Sequence, residues 1–286
     1  MNDQRLKTGY QGVPGSFSEQ ALSEYFSIEI EEYFFPDFED ILLNLQNGNI
    51  HYGILPLENS STGGITETYN LLRKYDCHII GERCLKIEHH LLGIKGSRLE
   101  DIQQVYSHPQ GYEQSKIFFR NHSNINFSPY KNTAESARYI RELNNKSIGA
   151  IASKKASELY GLDILAQNIN FNHKNITRFI IIGNEQEISN DCNKISIVIT
   201  VSHTPGALYK AMGFFEENHL NLTKIESRPL IDEPWHYYFY LDFEGNLKDP
   251  IVISALENVK SISSYFKILG NYPCHNLMIK DGEHNE

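Results

Sequence analysis

The chain has 286 residues, of which 40 % are hydrophobic and 22 % charged, and its formal net charge is −10. That length suits two domains with sizeable cores and excludes wholesale disorder. The acidic balance, without a basic stripe, argues against a nucleic-acid binder and means that any anionic metabolite must be held by local donors.

In chain order, Ser16 followed by Glu19 has the spacing of a helix capping box, and Ala21, Leu22, Tyr25 and Phe26 form a helical stripe behind it. Phe38, Ile41, Leu42 and Leu45 repeat at helical spacing, and Gly48 is placed to stop that helix. A strand is expected over Tyr52–Leu55, ended by Pro56, and then a helix carrying Ile65, Tyr69 and Leu72. Strands follow at Gln104–Ser107, Ile148–Ala152 and Phe179–Ile182, with helices at Tyr112–Phe119, Thr133–Leu143 and Ser153–Tyr160. This alternation predicts an α/β fold with a largely parallel sheet, or two.

The stretch from Asn184 to Asn193 is polar and acidic without apolar period, and reads as a linker. Beyond it the rhythm changes. Lys194–Val201 alternates as a strand, and Thr204-Pro205-Gly206 turns into a helix with Leu208, Ala211, Met212 and Phe215 on one face. Strands at Leu222–Arg228 and Tyr237–Phe243, a helix at Ile251–Val259 and a strand at Tyr265–Leu269 complete a β-α-β-β-α-β order, the ferredoxin-like arrangement.

The four cysteines (Cys77, Cys84, Cys192 and Cys274) lie far apart without C-x-x-C spacing, which argues against a zinc site or a disulfide framework. The 12 histidines contain no H-E-x-x-H, and adjacent His89 and His90 would face opposite ways in a strand. Reduced thiols in a cytoplasmic protein are the expectation. No basic and apolar leader opens the sequence, and no apolar run approaches membrane-spanning length.

Four segments can carry chemistry. Gly9, Gly12 and Gly15 punctuate a loop whose spacing is wrong for a dinucleotide fingerprint. It either presents backbone N–H groups with the Ser16 and Ser18 hydroxyls to a carboxylate, or is a plain capped turn. Pro56–Gly64 is a polar loop after a strand, with Glu58, Asn59, Ser60, Ser61 and Thr62 as hydrogen-bonding groups. Ser107-His-Pro-Gln110 opens a helix, and His108 is either a base or a structural hydrogen-bonder. Ser107 lacks the G-x-S-x-G setting of a hydrolase nucleophile. Thr177 and Arg178, at the start of an apolar strand, place a hydroxyl beside a guanidinium suited to a carboxylate.

Taken together, Gly12-Val-Pro-Gly-Ser-Phe-Ser-Glu-Gln-Ala21, Pro56-Leu-Glu-Asn-Ser60, Ser107-His-Pro-Gln110 with Gln114, Asn132-Thr-Ala134 and Asn175-Ile-Thr-Arg-Phe179 closely resemble prephenate dehydratase. Thr204-Pro-Gly-Ala-Leu208, Asn221–Pro229 and Asp242-Phe-Glu-Gly245 resemble the ACT regulatory domain attached to that enzyme. The resemblance implies a catalytic region at 1–184 with two α/β lobes, like a periplasmic solute-binding protein, and a cleft between them. It implies a linker at 185–193, a βαββαβ ACT domain at 194–275 and a tail at 276–286. Asn132, Gly111 and Phe17 depart from the residues usual in the family, which bears on substrate tuning.

The implied reaction turns prephenate into phenylpyruvate, carbon dioxide and water in phenylalanine biosynthesis, with no cofactor and no metal. The expected partners are prephenate, L-phenylalanine as effector and further copies of the chain in a homodimer or homotetramer, with no nucleic acid and no membrane. Thr177 is expected to hydrogen-bond the leaving hydroxide, and Arg178 to hold a substrate carboxylate. Ser16, Asn59, Ser107, Gln114 and Thr133 are candidate liners of the cleft. A structural or proton-holding role is expected of Glu58, since a carboxylate repels a dianion. Gly206, Ala207, Leu208, Asn221, Leu222, Glu226 and Ser227 are candidate phenylalanine contacts, with the carboxylate at the helix start. The rival readings are an arogenate dehydratase and a non-catalytic amino-acid sensor.

Overall fold

The computed structural model describes residues 5–172, 174–230 and 233–275, so the tail at 276–286 lies outside the described residues. In chain order the first elements are β1 (Leu6–Gln11), α1 (Phe17–Tyr25), β2 (Ile30–Phe35), α2 (Phe38–Gln46), β3 (Tyr52–Asn59), β4 (Gly63–Gly64) and α3 (Thr66–Lys74). Next come β5 (His78–Lys86), β6 (His90–Gly93), β7 (Gln104–Ser107), α4 (Pro109–Arg120), β8 (Asn126–Pro129), α5 (Thr133–Leu143) and β9 (Ile148–Ala152). These are followed by α6 (Lys154–Tyr160), β10 (Asp163–Ala166) and β11 (Ile176–Gly183). Last are β12 (Lys194–Val201), α7 (Ala207–Glu217), β13 (Leu222–Pro229), β14 (Tyr237–Glu244), α8 (Pro250–Ile262) and β15 (Ser263–Tyr272).

Three sheets result. The first has the order β2-β1-β3-β11-β5, with β4 also paired to β3; the second has the order β10-β6-β9-β7-β8. The second is mixed rather than largely parallel: β7 runs parallel to β8 and β9, whereas β6 is antiparallel to β9 and β10. The third, β13-β14-β12-β15, has antiparallel pairs throughout and is the expected βαββαβ topology. Its strand β15 continues beyond the expected Leu269 to Tyr272.

The chain also divides into two compact units that are not contiguous in sequence. The first holds the described residues of Met1–Ile41, Ile54–Gly63 and Cys84–Phe179; the second holds those of Leu42–Gly53, Gly64–Arg83 and Ile180–Glu286. In the first unit, Leu92, Ala137, Ile140, Ala150 and Ala156 pack on one side of the second sheet's strands. Leu91, Val105, Phe119 and Ile151 form another buried cluster there, as strand alternation requires for a sheet covered on both faces.

In the second unit, Ile195, Ile197 and Ile199 alternate along β12 and meet Ala211 and Phe215 of α7 and Val252, Leu256 and Val259 of α8. The same unit joins the third sheet to α3: Tyr240 donates to the Tyr69 carbonyl (2.9 Å), and Lys267 donates to the carbonyls of Leu72 (3.0 Å) and Tyr75 (2.7 Å). Gly270 has no alternative there, because a Cβ would stand 2.1 Å from the Ile79 carbonyl oxygen.

Pro56 does not end β3. Proline removes one N–H donor from the ladder, but the strand continues to Asn59. The expected polar loop therefore begins later, and Glu58 and Asn59 are strand neighbours whose side chains alternate.

Candidate active site

The four chemistry-bearing segments converge in the first unit. Asn175 and Thr177 lie two residues apart, so they share one side of the strand, and both meet Asn59 of β3. Asn59 Nδ2 donates to Asn175 Oδ1 (2.7 Å) and to Thr177 Oγ1 (2.9 Å). Asn175 Nδ2 in turn donates to Gln114 Oε1 of α4 (3.0 Å), and His89 Nε2 meets the same oxygen at 3.0 Å. All five side chains are buried, Asn175 to 1 % exposure. Burial pushes the His89 pKa down to about 4, outweighing the opposing hydrogen bond to Gln114.

Arg178 follows Thr177, so in the strand alternation it points away from the Asn175–Thr177 side and has a different partner. Its Nη1 donates to Glu58 Oε1 at 2.9 Å, and Glu58 alternates with Asn59 in the same way. The Thr177 hydroxyl thus bonds on the Asn59 side of the strand and the Arg178 guanidinium on the Glu58 side. Glu58 is thereby half of an ion pair whose arginine side chain is 9 % exposed.

The glycine loop is a docked turn. Gly12 N–H donates to the Phe35 carbonyl (2.9 Å), Gly15 N–H to Glu19 Oε2 (2.6 Å), and Ser16 N–H to the Val13 carbonyl (3.1 Å). Those donors are engaged within the protein, which removes them as a carboxylate cradle. Ser16 Oγ accepts from Glu19 N–H, but Glu19 completes no reciprocal box, because its carboxylate reaches Gly15 and Lys155 (2.9 Å). From α6, Ser153 Oγ donates to the Gly15 carbonyl (3.1 Å) and Tyr160 OH to the Pro14 carbonyl (2.6 Å).

The remaining candidates gather around Gly111. A Cβ there would stand 2.9 Å from Ser107 Oγ, 3.3 Å from Thr133 Cγ2 and 3.8 Å from His89 Cε1. The departure to glycine at this position thus leaves room between three polar residues. Ser107 is fully buried and donates to the Ile151 carbonyl (3.3 Å), so it supports the site from behind. His108 caps α4 by accepting from Gln110 N–H (3.2 Å), the structural alternative of its two readings, and burial holds its pKa below the ordinary value. Asn132 caps α5 by accepting from Glu135 N–H (2.7 Å). Phe17 stands edge-on to His89, with ring centroids 5.7 Å apart. His89 and Asn175 were missing from the expected contacts; Asn175 stood in a quoted motif, and only its even spacing from Thr177 marked it.

The second candidate site lies in the second unit, where α7 starts. Gly206 takes the left-handed conformation (φ +81) that lets the chain turn into the helix. An open pocket of about 380 Å³ is lined there by Val201, His203, Ala207, Leu208, Trp235 and Tyr237, among others. Ala207 N–H is turned back to the Thr204 carbonyl (3.2 Å), leaving the later first-turn N–H groups for a ligand. Asn221, Leu222, Glu226 and Ser227 do not line this pocket. They belong to or flank β13, where Leu222 packs on the core and Glu226 pairs with Arg228 (2.9 Å). Among the described residues, no cluster of side chains suits a metal ion, and no helix is long and apolar enough to cross a membrane.

Known proteins share this architecture. The chain is 29 % identical to a solved structure titled "GqqA- a novel type of quorum quenching acylases", with a TM-score of 0.85 over 95 % of this chain and 99 % of that one. The crystal structure of prephenate dehydratase from Arthrobacter aurescens in complex with L-Phe matches with a TM-score of 0.84 and 26 % identity, over 94 % of this chain and 90 % of that one. Among curated proteins, arogenate dehydratase/prephenate dehydratase 2 of Arabidopsis thaliana, a chloroplastic protein, is 34 % identical over 97 % of this chain and 75 % of its own length. The prephenate dehydratase family model matches residues 8–187. With its buried Asn59–Asn175–Thr177–Gln114 cluster inside that span, the chain belongs to the prephenate dehydratase family.

Proposed function

We propose that the chain converts prephenate to phenylpyruvate in the cytoplasm, as a step of phenylalanine biosynthesis, and that its βαββαβ module is an ACT domain regulated by L-phenylalanine. Prephenate carries a ring carboxylate and a hydroxyl on opposite carbons of a cyclohexadiene. Breaking the ring-to-carboxylate bond releases carbon dioxide and leaves its electron pair to aromatise the ring. The carbon–oxygen bond breaks at the far carbon, and the departing hydroxide takes one proton to become water. The protein's task is to hold a dianion and to stabilise charge on the leaving oxygen.

The observation that carries this reading is the bond from Asn59 Nδ2 to Thr177 Oγ1. A hydroxyl that accepts from an amide keeps its own proton for another partner, here the leaving oxygen. Ser16, whose Oγ accepts from Glu19 N–H, is poised in the same way. Ser16, Gln114 and Thr133 are the assigned substrate contacts, Asn59 and Ser107 support them, and Arg178 with Glu58 braces β11 to β3. An acylase would need a nucleophile beside a base; Ser107 is buried against the Ile151 carbonyl and His108 is occupied as a cap, so that segment offers none.

For regulation, the pocket at the start of α7 falls in the size range of small-molecule sites, roughly 300–1,000 Å³, and is bordered by a helix N-terminus suited to an amino-acid carboxylate. L-phenylalanine in a relative's crystal supports that ligand. Strand β13, at the edge of its sheet with Ile225 exposed, is the assigned surface for pairing with a second copy. The test is to incubate the purified chain with prephenate or arogenate, with and without L-phenylalanine. Phenylpyruvate from prephenate, at a rate altered by L-phenylalanine, is the expected outcome. Turnover of arogenate alone would reassign the substrate, and turnover of neither would leave an amino-acid sensor.

A further inference from the structure

A chain of hydrogen bonds runs from the 60–62 turn to His89, and its direction follows from one backbone group. Ser61 N–H can only donate, and it donates to Asn59 Oδ1 (2.9 Å). That orients the Asn59 amide, so its Nδ2 must donate to both Asn175 Oδ1 and Thr177 Oγ1. Asn175 Nδ2 must then donate to Gln114, whose partner atom is therefore its Oε1. An amide oxygen cannot donate, so the His89 nitrogen that meets it at 3.0 Å must carry the ring proton. The other ring nitrogen, Nδ1, is buried with no hydrogen-bond partner, consistent with a neutral ring holding its one proton on Nε2.

We infer that His89 is a positioning residue: its Nε2–H anchors Gln114 and, through Asn175 and Asn59, holds the Thr177 hydroxyl with its proton aimed at the substrate. The inference rests on the reading of Thr177 as donor to the leaving oxygen. Without the His89 proton, the Gln114 amide can rotate by half a turn and offer Asn175 an N–H instead of an oxygen. Asn175 would then reverse and turn an N–H₂ group toward Asn59 Nδ2 in place of an acceptor, and that clash would displace the amide that orients the Thr177 hydroxyl. Gln114 is affected twice, since the bonds to its oxygen also turn its own N–H₂ away from His89 and Asn175.

Two measurements on the full-length chain test this. Long-range proton–nitrogen NMR correlations of the His89 ring should show the Nε2–H tautomer at neutral pH, and the Nδ1–H tautomer would overturn the inference. That readout does not depend on the substrate, so it stands even if the chain proves inactive on prephenate. Kinetically, His89→Leu should lower kcat about tenfold, the effect of one lost hydrogen bond, with KM moving much less. His89→Gln, which can place an N–H near the same point, should recover turnover relative to His89→Leu. In a Thr177→Ala background, His89→Leu should have almost no further effect on kcat, because the two act through one hydroxyl. An equal tenfold loss in both backgrounds would reduce His89 to a packing residue and overturn the proposal. Should His89→Leu fail to fold, the tautomer measurement decides the matter.

Discussion

The cluster around Thr177 draws its side chains from positions 59, 89, 114, 175 and 177, whereas the pocket at the start of α7 takes its lining from 201–208 and 235–239. The first is a buried network in which each amide settles the orientation of the next. The second is an open, largely apolar recess beside a helix start, with few internal polar bonds. A buried hydrogen-bonded network is rigid, and removing one member takes partners from the others. An open recess tolerates change in its lining and is governed by what binds. The cluster should therefore respond to substitution in turnover and stability, and the pocket in effector affinity alone.

The sharpest test of the difference is Thr177→Ala. It should lower kcat by about 10²–10⁴-fold, the range for a lost proton donor, and change KM far less, while Thr177→Ser retains much of the rate. Steady-state kinetics on prephenate would check it, and normal turnover by Thr177→Ala would remove the catalytic assignment. Ala207→Asp, by contrast, places a carboxylate where the effector's carboxylate is assigned, and at a helix start where an acidic residue is tolerated. Titration calorimetry should find no L-phenylalanine binding, with basal turnover within about twofold of the unmodified chain, as expected of a surface change away from buried contacts.

Arg178 offers an intermediate case. Removing the guanidinium in Arg178→Met breaks the ion pair to Glu58 and should lower stability by about 2 kcal/mol, the scale of a charged hydrogen bond at a partly exposed carboxylate. A shifted urea midpoint with an unchanged KM is the signature of a brace. The reverse result, a raised KM at unchanged stability, would return Arg178 to the substrate.

The same contrast explains how much could be read from the sequence. The βαββαβ module is contiguous, and its core alternates visibly in Ile195, Ile197 and Ile199, so period and turn residues sufficed for its topology. The buried cluster joins residues 118 positions apart (Asn59 to Thr177) and 61 apart (Gln114 to Asn175), and no local periodicity reports such pairs. Only the family's motif order pointed to them. What misled was local rule against tertiary context. Proline was expected to close β3, and the pairing of that strand on both sides carried it through to Asn59. The glycine loop was open to two readings, anion cradle or capped turn, and only the engagement of its N–H groups by Phe35, Glu19 and Val13 separates them.

The smallest expected effect concerns His89 and separates the network from the rest of the molecule by pH. In the folded chain its pKa is held at about 4 by burial; unfolded, it should return to the ordinary value near 6.5. Above that value both states are neutral and His89 contributes nothing to the pH dependence. As pH falls through 6.5 the unfolded state takes up a proton that the native state refuses, so stability declines until the native ring also protonates near pH 4. Between pH 7 and 5.5 the loss from this one residue is about 1 kcal/mol. His90 and His108, whose pKa values burial also lowers, act in the same direction, so the unmodified chain alone cannot assign the slope. The difference between the unmodified chain and His89→Gln can, because the other histidines cancel. Urea denaturation across that pH range should show a shallower decline for His89→Gln. Equal slopes would mean that His89 ionises with little penalty, and a ring that accommodates charge so readily would not be the neutral, singly protonated anchor from which the Thr177 hydroxyl takes its direction.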